Sequence, residues 1–469
     1  MAPQGGQSMA SGTTSLDVGS ILAEARPQEE FRRSEWLVLF AFGVCTGLNA
    51  FLFAEFATVT DLVEKMFNVG ASDVAWLYSG ALLVVLLGMP VGVIMVVWWE
   101  AAALLLAVLA NAACSWIRWM AVNKRNFSLL LVSACLPGVG AWTILPLPAQ
   151  LSQQRFPSRR RSFTTSFGIM ANYLGWFLAS AVTPRIVVDE SSMENFVFFQ
   201  GVFSLFALAI FLVFYRPAMQ HRAIQGLDTS VRDLGHAQET LTGEVSGQNV
   251  VARCRTKCHE YINFLFVVGA HPSLCLQILA YGVLGGVSFA LPGCNDILLS
   301  SCVGLKTHAT SAVNMAFIGT GVVGGLVLGF TCHSPHHYGK ILKILFMICA
   351  FATVLLALLV ELVQSHAAIL HTHTQLMLSI ILLLESVAGA TSLGFIGIGI
   401  EAAALYPAGG TYVCFLIEAV IQLVGAILTQ VPSREKRHGF SIIAAAAVAA
   451  GLLVLIGYRR YSPPTHALG

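Results

Sequence analysis

The chain has 469 residues, of which 56% are hydrophobic and 11% are charged, and it carries a formal net charge of +2. A soluble domain contains about 25% charged residues, so this composition excludes an ordinary water-soluble protein and indicates a membrane protein. A net charge so close to zero gives no support for nucleic-acid binding, which requires a strongly basic surface. The eleven cysteines are mostly scattered in apolar segments, where a thiol behaves as a small hydrophobic group, so no disulfide framework is predicted.

Twelve long apolar segments separated by short polar loops are predicted to be membrane-spanning helices. In chain order they cover residues 36–58, 74–97, 99–122, 127–151, 164–187, 195–215, 272–293, 311–332, 339–363, 374–403, 410–431 and 440–458. About 20 helical residues cross a hydrocarbon core of roughly 30 Å, and unbroken apolarity excludes the alternating pattern of barrel strands. Only Trp98, Trp99 and Glu100 separate the second and third helices. Pro137, Pro146 and Pro148 predict a bend in the fourth.

One long polar stretch interrupts this pattern and divides the chain into six helices plus six. The predicted regions are a disordered cytosolic tail at 1–35, a first six-helix bundle at 36–216, a cytosolic central loop at 217–271, a second six-helix bundle at 272–458 and a cytosolic tail at 459–469. The predicted fold class is an all-α membrane protein with twelve transmembrane helices in two six-helix bundles. This layout resembles that of the major facilitator superfamily, although other twelve-helix membrane proteins exist.

The distribution of lysines and arginines predicts how the helices are oriented. With the amino terminus in the cytosol, 17 of these residues fall on the cytosolic side and 9 on the other, as the positive-inside rule requires. Both termini are therefore predicted to be cytosolic, in the plasma membrane or an organelle membrane. The loop after the third helix weakens the bias through Lys124 and Arg125. It also holds Asn126-Phe127-Ser128, a glycosylation acceptor pattern that occurs often by chance, so its use stays open.

Several short motifs match known sequence patterns but lack the structural context that those patterns require. The run from Gly319 to Gly324 matches the dinucleotide-binding pattern, but it lies inside the eighth apolar segment with no preceding strand. Gly321, Gly325 and Gly329 share one face of that helix and predict close packing of a neighbouring helix. Two loop clusters lack the second ligand pair of a structural zinc site: His333, His336 and His337, and Cys254, Cys258 and His259. We predict no metal, no cofactor and no enzymatic activity.

Polar side chains within the predicted helices carry the functional argument. A charge at mid-bilayer costs about 2.5–3.5 kcal/mol even on a lenient scale, so such a residue faces a cavity or a partner. The residues concerned are Asn49 and Glu55 in the first helix, Asn172 and Tyr173 in the fifth, Glu385 and Glu401 in the tenth, and Glu418 and Gln422 in the eleventh. No lysine or arginine lies near the centre of a helix, so a cavity that gathers these acids favours a cation or a proton. The alternative is that each carboxylate is protonated or bonded to a neighbouring helix.

Two aromatic residues could hold an organic cation. Trp76 starts the second helix and Tyr281 lies in the seventh, and the faces of such rings attract quaternary ammonium groups by about 0.5–2 kcal/mol. A tryptophan near a helix end is also the usual interfacial anchor, and periodicity alone favours that interpretation for Trp76.

Short motifs in both halves of the chain occur in the order found in a known family. They are Glu35-Trp36-Leu37 with Leu48-Asn49-Ala50-Phe51 in the first helix, Ala75-Trp76-Leu77 in the second, Asn172-Tyr173-Leu174-Gly175 in the fifth, Ala280-Tyr281-Gly282 in the seventh, and Gly399-Ile400-Glu401 with Tyr406-Pro407 at the end of the tenth. In these motifs the chain resembles the feline leukaemia virus subgroup C receptor-like transporters, a branch of the major facilitator superfamily. Members of that family are associated with choline and ethanolamine, with haem and, in one branch, with a vitamin.

The resemblance implies a central site in which an aromatic cage holds an ammonium group and glutamines orient its hydroxyl. Carried over to this chain, it implies Trp76 as a cage wall, Tyr281 as the second aromatic residue and Gln422 as the polar contact.

The chain departs from the family at several of these positions. Tyr173 replaces a glutamine, Glu55 stands where relatives tend to have glutamine, and Glu418 is an added acid. These departures suit proton coupling or a cation other than choline. We therefore regard Glu55, Glu418 and Glu401 as the candidates for charge compensation or proton coupling.

The resulting hypothesis is an alternating-access transporter of a small organic cation, choline-like or ethanolamine-like, with or without proton coupling. Its expected partners are the substrate and the lipid bilayer, with no nucleic acid, and a monomer is expected. The candidate substrate-binding residues are Trp76, Tyr281, Gln422, Asn49 and Tyr173. The alternatives are a haem or porphyrin exporter of the same fold, whose cargo would seek basic residues that the helices lack, and a non-transporting membrane receptor.

Overall fold

The computed structural model describes residues 33–215, 264, 266, 268–332, 334–365, 374–406, 410–434 and 436–458. Residues 1–32 of the predicted first tail and all of the predicted last tail lie outside the described residues, as does nearly all of the predicted central loop. The same holds for Cys254, Cys258, His259 and His333.

Twelve long helices account for most of the described chain. They are α1 Arg33–Ala54, α2 Ala71–Trp98, α3 Glu100–Asn123, α4 Phe127–Ile144, α5 Ser158–Ile186, α6 Glu190–Ile210, α7 Pro272–Val303, α8 Thr307–Thr331, α9 Pro335–Ser365, α10 Thr374–Ser392, α11 Gly410–Arg434 and α12 Gly439–Gly457. Shorter helices continue or connect them: Glu55–Thr58 after α1, Thr60–Phe67 before α2, Leu147–Arg155 after α4, Phe211–Tyr215 after α6, Ile396–Ala403 after α10 and Lys436–His438 before α12.

Eleven of these helices, with α4, α6 and α10 taken together with their continuations, are long and apolar enough to cross a membrane. The helix outside that set is α5. Its first turns carry Arg159, Arg160 and Arg161, and its middle carries Asn172. It is sandwiched between α1 and α8, and Asn172 donates to Thr46 of α1 at 3.0 Å, so this polar side chain meets protein rather than lipid, where it would be costly. The predicted twelve-helix fold is confirmed, and its most polar helix lies where the two halves join.

The packing repeats after six helices. In the first half α1 packs on α5, α2 on α4, and α3 on both α4 and α6. In the second half α7 packs on α11, α8 on α10, and α9 on both α10 and α12. The two halves meet along α2 with α11 and along α5 with α8. Two bundles related in this way, with their shared contacts at the midline, have the geometry of a facilitator in which one half can rock against the other.

Glycines set the closest helix crossings. A Cβ on Gly175 of α5 would overlap the backbone of Gly47 on α1, and in the second half a Cβ on Gly389 of α10 would overlap the backbone of Phe317 on α8. On the same α8 helix, Gly321 faces α10 while Gly325 faces Met170 of α5. Small residues let helices approach closely in lipid. The prediction that the α8 glycines serve packing is therefore confirmed.

Two predicted breaks occur where the sequence places them. The fourth helix ends at Ile144 and resumes at Leu147, so the bend coincides with Pro146, whose ring cannot continue a regular helix. Trp99 alone separates the last residue of α2 from the first residue of α3. The second break brings Glu100 into the interior, where it is 8% exposed.

Candidate functional site

A narrow cavity of about 20 Å³, enough for about one water molecule, lies between the two halves. Its wall contains side chains of helices from both halves, which include Asn49 and Phe53 of α1, Asn172 and Trp176 of α5, Phe289 of α7 and Gln422 of α11. The rest of the wall is aliphatic and comes from α1, α2 and the bend of α4. A concave site with few polar groups, placed where two halves meet, is the usual form of a small-molecule site.

Aromatic rings gather on one side of this cavity. The ring centroids of Trp176 and Phe289 are 4.7 Å apart, so the pair joins α5 of the first half to α7 of the second. Tyr173 packs edge-on against both rings at 6.2 Å, and Tyr78 of α2 packs against Trp176 at 6.1 Å. The negative face of an aromatic ring attracts a cation, so Trp176 and Phe289, which line the cavity, are candidates to hold one.

Gln422 is a polar group of the cavity wall with an acceptor available to a ligand. Its side chain is 4% exposed, and its Oε1 atom accepts no hydrogen bond from any residue that the structure describes. Asn49 also lines the cavity, but its Nδ2 atom already donates to Asn111 Oδ1 at 2.8 Å and to the carbonyl of Pro137 at 2.9 Å. An unpaired buried acceptor is costly unless a donor reaches it, so Gln422 is suited to accept a hydrogen bond from a ligand.

Glu418 lies one helical turn before Gln422, about 6 Å along the axis of α11 at 1.5 Å per residue. Its side chain is 4% exposed. Tyr173 lies close to it and also within hydrogen-bonding reach of Ser288 on α7. Among the described residues Glu418 makes no ion pair with a lysine or arginine. A buried carboxyl group without a cation therefore sits beside the aromatic and amide groups of the cavity.

Glu55 does not share this environment, contrary to the sequence expectation. It is wholly buried and pairs with Arg118 of α3, with 2.5 Å between Oε1 and Nη1. Gln200 of α6 donates to its other oxygen, and Arg118 also donates to the carbonyl of Leu52 at 2.8 Å. Since the charge of Glu55 is neutralised within the first half, the pairing gives no support for a role in cation binding.

Sequence reasoning missed Arg118, which is 1% exposed. The available signal was its position between two tryptophans inside the third apolar segment, because an intramembrane arginine is rare and implies a partner.

A second buried arginine, Arg155, lies at the end of the first half that is predicted to be cytosolic. Arg155 contacts Glu100 at 3.1 Å and Glu35 at 2.9 Å, and the hydroxyl of Tyr215 donates to Glu100 at 2.5 Å. Gln150 donates to Glu100 at 3.3 Å. These ion pairs and hydrogen bonds, next to the turn after α2, therefore connect α1, α3, the continuation of α6 and the continuation of α4.

Polar contacts join the two halves at that same end. Thr165 of α5 donates to Glu401 at 2.6 Å, and Thr411 of α11 donates to Gln150 at 3.2 Å. The thiol of Cys414 lies 3.4 Å from the carbonyl of Leu145. Glu401 therefore lies in a contact between the halves rather than in the wall of the cavity.

The two aromatic residues singled out from the sequence lie apart from the cavity wall. Trp76 is 51% exposed near the start of α2. Tyr281 is wholly buried inside the second half, where it packs against Phe346 and Phe395 with ring centroids 5.9 and 5.6 Å apart. The structure instead brings Phe53, Trp176 and Phe289 to the cavity. Sequence reasoning did not single out these three rings.

Of the discounted histidine and cysteine clusters, only His336 and His337 fall among the described residues. Among the described residues, no group of three or more His, Cys, Asp or Glu side chains could hold a metal ion. Asn126 caps α4 by accepting a hydrogen bond from the backbone N–H of Leu129 at 3.0 Å.

Comparisons with known proteins agree with the fold. No family model matches the chain. An uncharacterised MFS-type transporter of Caenorhabditis elegans is 21% identical over 435 residues, which cover 90% of this chain and 68% of that protein. A choline/ethanolamine transporter of zebrafish (Danio rerio) is 23% identical over 303 residues, or 63% of this chain and 60% of that protein. The crystal structure of the human organic anion transporter MFSD10 superposes with a TM-score of 0.60 at 13% identity, over 90% of this chain and 99% of that one.

These similarities confirm the resemblance drawn from the short motifs. The chain has the major facilitator fold, it is a multi-pass membrane protein, and proteins similar to it are named as choline/ethanolamine transporters and as transporters of the major facilitator type.

Proposed function

We propose that this chain is an alternating-access transporter of a small organic cation with a hydroxyl group, choline-like or ethanolamine-like. The observation that carries the proposal is the cavity between the halves, which combines aromatic rings with the carbonyl of Gln422, an acceptor that receives no donor from the described residues. A cargo would enter as the halves move apart. The acid Glu418 lies one turn away on the same helix. The zebrafish relative is named for the same class of cargo.

Each group has a distinct role in holding such a cargo. The ammonium group would lie against Trp176 and Phe289, which contribute about 0.5–2 kcal/mol. The hydroxyl of the cargo would donate to Gln422, for about 0.5–1.5 kcal/mol. Glu418 would supply the counter-charge, worth about 3 kcal/mol at roughly 6 Å and an effective dielectric constant of 20. By these magnitudes the carboxylate dominates affinity, while the rings and the amide select the shape.

The haem alternative receives less support from this cavity. Haem carries two propionates, which need basic partners, and the cavity wall contains no lysine, arginine or histidine among the described residues. Arg118 and Arg155, the two buried arginines of the described chain, are already paired with glutamates.

Trp76 and Tyr281 stay candidates for another stage of the cycle. In an alternating-access mechanism the helices that line the path change as the halves rock. Both residues belong to helices, α2 and α7, that contribute side chains to the cavity wall.

Uptake into liposomes by the purified full-length chain tests the proposal. Radiolabelled choline and ethanolamine should be transported, haem should not, and Gln422→Ala or Trp176→Leu should lower uptake about fivefold or more, the loss expected from roughly 1 kcal/mol. Trp99→Leu serves as a matched control, because Trp99 is exposed and lies outside the cavity wall, and it should have less effect than Trp176→Leu.

Three outcomes would overturn the proposal. The first is an absence of cation flux from a folded protein, which would favour the receptor alternative. The second is haem flux in place of cation flux. The third is cation flux that neither Gln422→Ala nor Trp176→Leu changes, because the cargo would then not use this cavity.

A further inference from the structure

A second buried carboxyl group lies in the core of the second half, away from the cavity wall. Glu385 sits near the middle of α10 and is wholly buried. Neither of its carboxyl oxygens accepts a hydrogen bond from a residue that the structure describes. The side chain that faces it is Asn295 of α7. Since a buried carboxylate requires donors or a cation, this arrangement needs a physical explanation.

Asn295 belongs to a short chain of amides that runs from α7 to α8. Asn314 Nδ2 donates to the backbone carbonyl of Pro292 at 3.2 Å. Asn295 Nδ2 donates to Asn314 Oδ1 at 2.9 Å. Asn295 Oδ1 is buried and, among the described residues, receives no donor. The neighbouring side chains of Asn295 and Glu385 therefore both carry buried acceptors that, among the described residues, lack donors.

The orientation of each amide group in this chain follows from its last contact, the backbone carbonyl of Pro292. The carbonyl of Pro292 can only accept, so the NH₂ group of Asn314 must face it. The oxygen of Asn314 then faces Asn295 and must receive an N–H from it. This leaves the oxygen of Asn295 without a donor in this chain of amides. Turning either amide around would place two oxygens in contact, so the assignment follows from the network.

No cation compensates Glu385 in this part of the structure. On the neighbouring helices, the ionisable groups nearby are the thiol of Cys349 on α9, which faces Glu385, and Asp296 on α7, which accepts a hydrogen bond from Thr310 of α8. Among the described residues no lysine or arginine pairs with Glu385.

We infer that Glu385 is a proton-binding site, in which the carboxyl group takes one proton from water and donates it in a hydrogen bond to Oδ1 of Asn295. The proton removes the uncompensated charge, and the new O–H satisfies both orphaned acceptors at once. The site joins α7 to α10, and α7 also reaches the cavity through Phe289. A movement of α7 that separates Asn295 from Glu385 removes the acceptor of this proton and favours its release. The inference concerns a group outside the cavity wall and does not depend on the identity of the cargo.

Infrared difference spectroscopy of the purified chain in lipid nanodiscs tests the site directly, because a protonated carboxyl group has a C=O stretching band that a carboxylate lacks. The spectrum of the wild type minus that of Glu385→Gln at neutral pH should contain such a band. The glutamine keeps the shape and supplies an N–H to Asn295, so the variant should fold, which thermal unfolding checks. Asn295→Leu removes the acceptor and should shift the position of the band.

The control variant is Glu418→Gln, which changes a different buried carboxyl group. The Glu385 band must persist in it. The inference is overturned if Glu385→Gln folds and removes no protonated-carboxyl band, because Glu385 would then be ionised. It is also overturned if the band is insensitive to Asn295→Leu, because the proton would then lie elsewhere.

Discussion

The two halves share one packing scheme but treat their buried acids in opposite ways. In the first half Glu55 pairs with Arg118 at 2.5 Å, and Glu100 pairs with Arg155 at 3.1 Å. In the second half Glu385 and Glu418 are equally buried, yet within the described residues neither meets a lysine or arginine.

This difference separates structural charge from charge that is available for transport. An ion pair buried within one half is electrically neutral, and breaking it is costly, so it fixes helix positions and offers no net charge to a cargo. An acid without a protein cation must be neutralised by a proton or by a bound cation. We therefore expect the first half to act as the rigid frame and the second half to supply the ionisable groups of the cycle.

The largest effect should come from breaking a pair in the first half. Arg118→Met leaves Glu55 buried and unpaired, and loss of one partner of a buried pair costs about 3–5 kcal/mol. Thermal unfolding of the purified protein should show a strongly lowered midpoint. The double variant Arg118→Met with Glu55→Gln removes both charges and should recover most of the loss. An equally unstable double variant would show that packing, rather than the charge, sets the cost.

The next largest effect should appear in the second half, and it should alter transport rather than folding. Glu418→Gln removes a counter-charge worth about 3 kcal/mol, so kcat/KM for cation uptake should fall roughly 100-fold while the unfolding midpoint changes little. Glu418→Asp keeps the charge and should retain most of the activity. If Glu418→Gln unfolds the protein as Arg118→Met does, the distinction between the halves fails.

The fold was largely accessible from the sequence because a bilayer imposes long apolar helices. The break after Ile144 also followed from local chemistry, since Pro146 lies there. The rotation of each helix about its own axis was harder to predict from the sequence. The pairing of Glu55 with Arg118 joins residues 63 positions apart, and it depends on how α1 and α3 turn about their axes.

The same limit applies to the candidate site. Asn49 and Gln422 line the cavity, and their roles in binding stay predictions. Trp176 and Phe289 come together from different halves of the chain, and no spacing within one helix reveals such a contact. Similarity in short motifs identifies candidate residues, but it does not show which helix faces meet to form the cavity.

A smaller effect is expected where the halves touch. Thr165→Val removes the hydrogen bond to Glu401, a loss of about 1 kcal/mol, which should raise the open population at that end roughly fivefold. Cys414 is a natural reporter because it is buried between the halves, beside Leu145. Its modification by a maleimide, followed by peptide mass spectrometry, should accelerate by the same factor. Cys349, buried within the second half, should not change, and equal acceleration at both thiols would indicate general loosening instead.

The smallest effect should come from an ion pair of the first half that is not buried. Arg125 lies 2.7 Å from Glu190 and 3.5 Å from Glu194, with 40% of its side chain exposed. Water screens such a pair, which contributes about 0–1 kcal/mol, so Arg125→Gln should leave the unfolding midpoint and the uptake close to wild type. Added salt should reduce even this effect, whereas salt should not rescue Arg118→Met. If Arg125→Gln proved as damaging as Arg118→Met, burial would not be what makes the arginines of the first half structural, and the contrast with the second half would lose its physical basis.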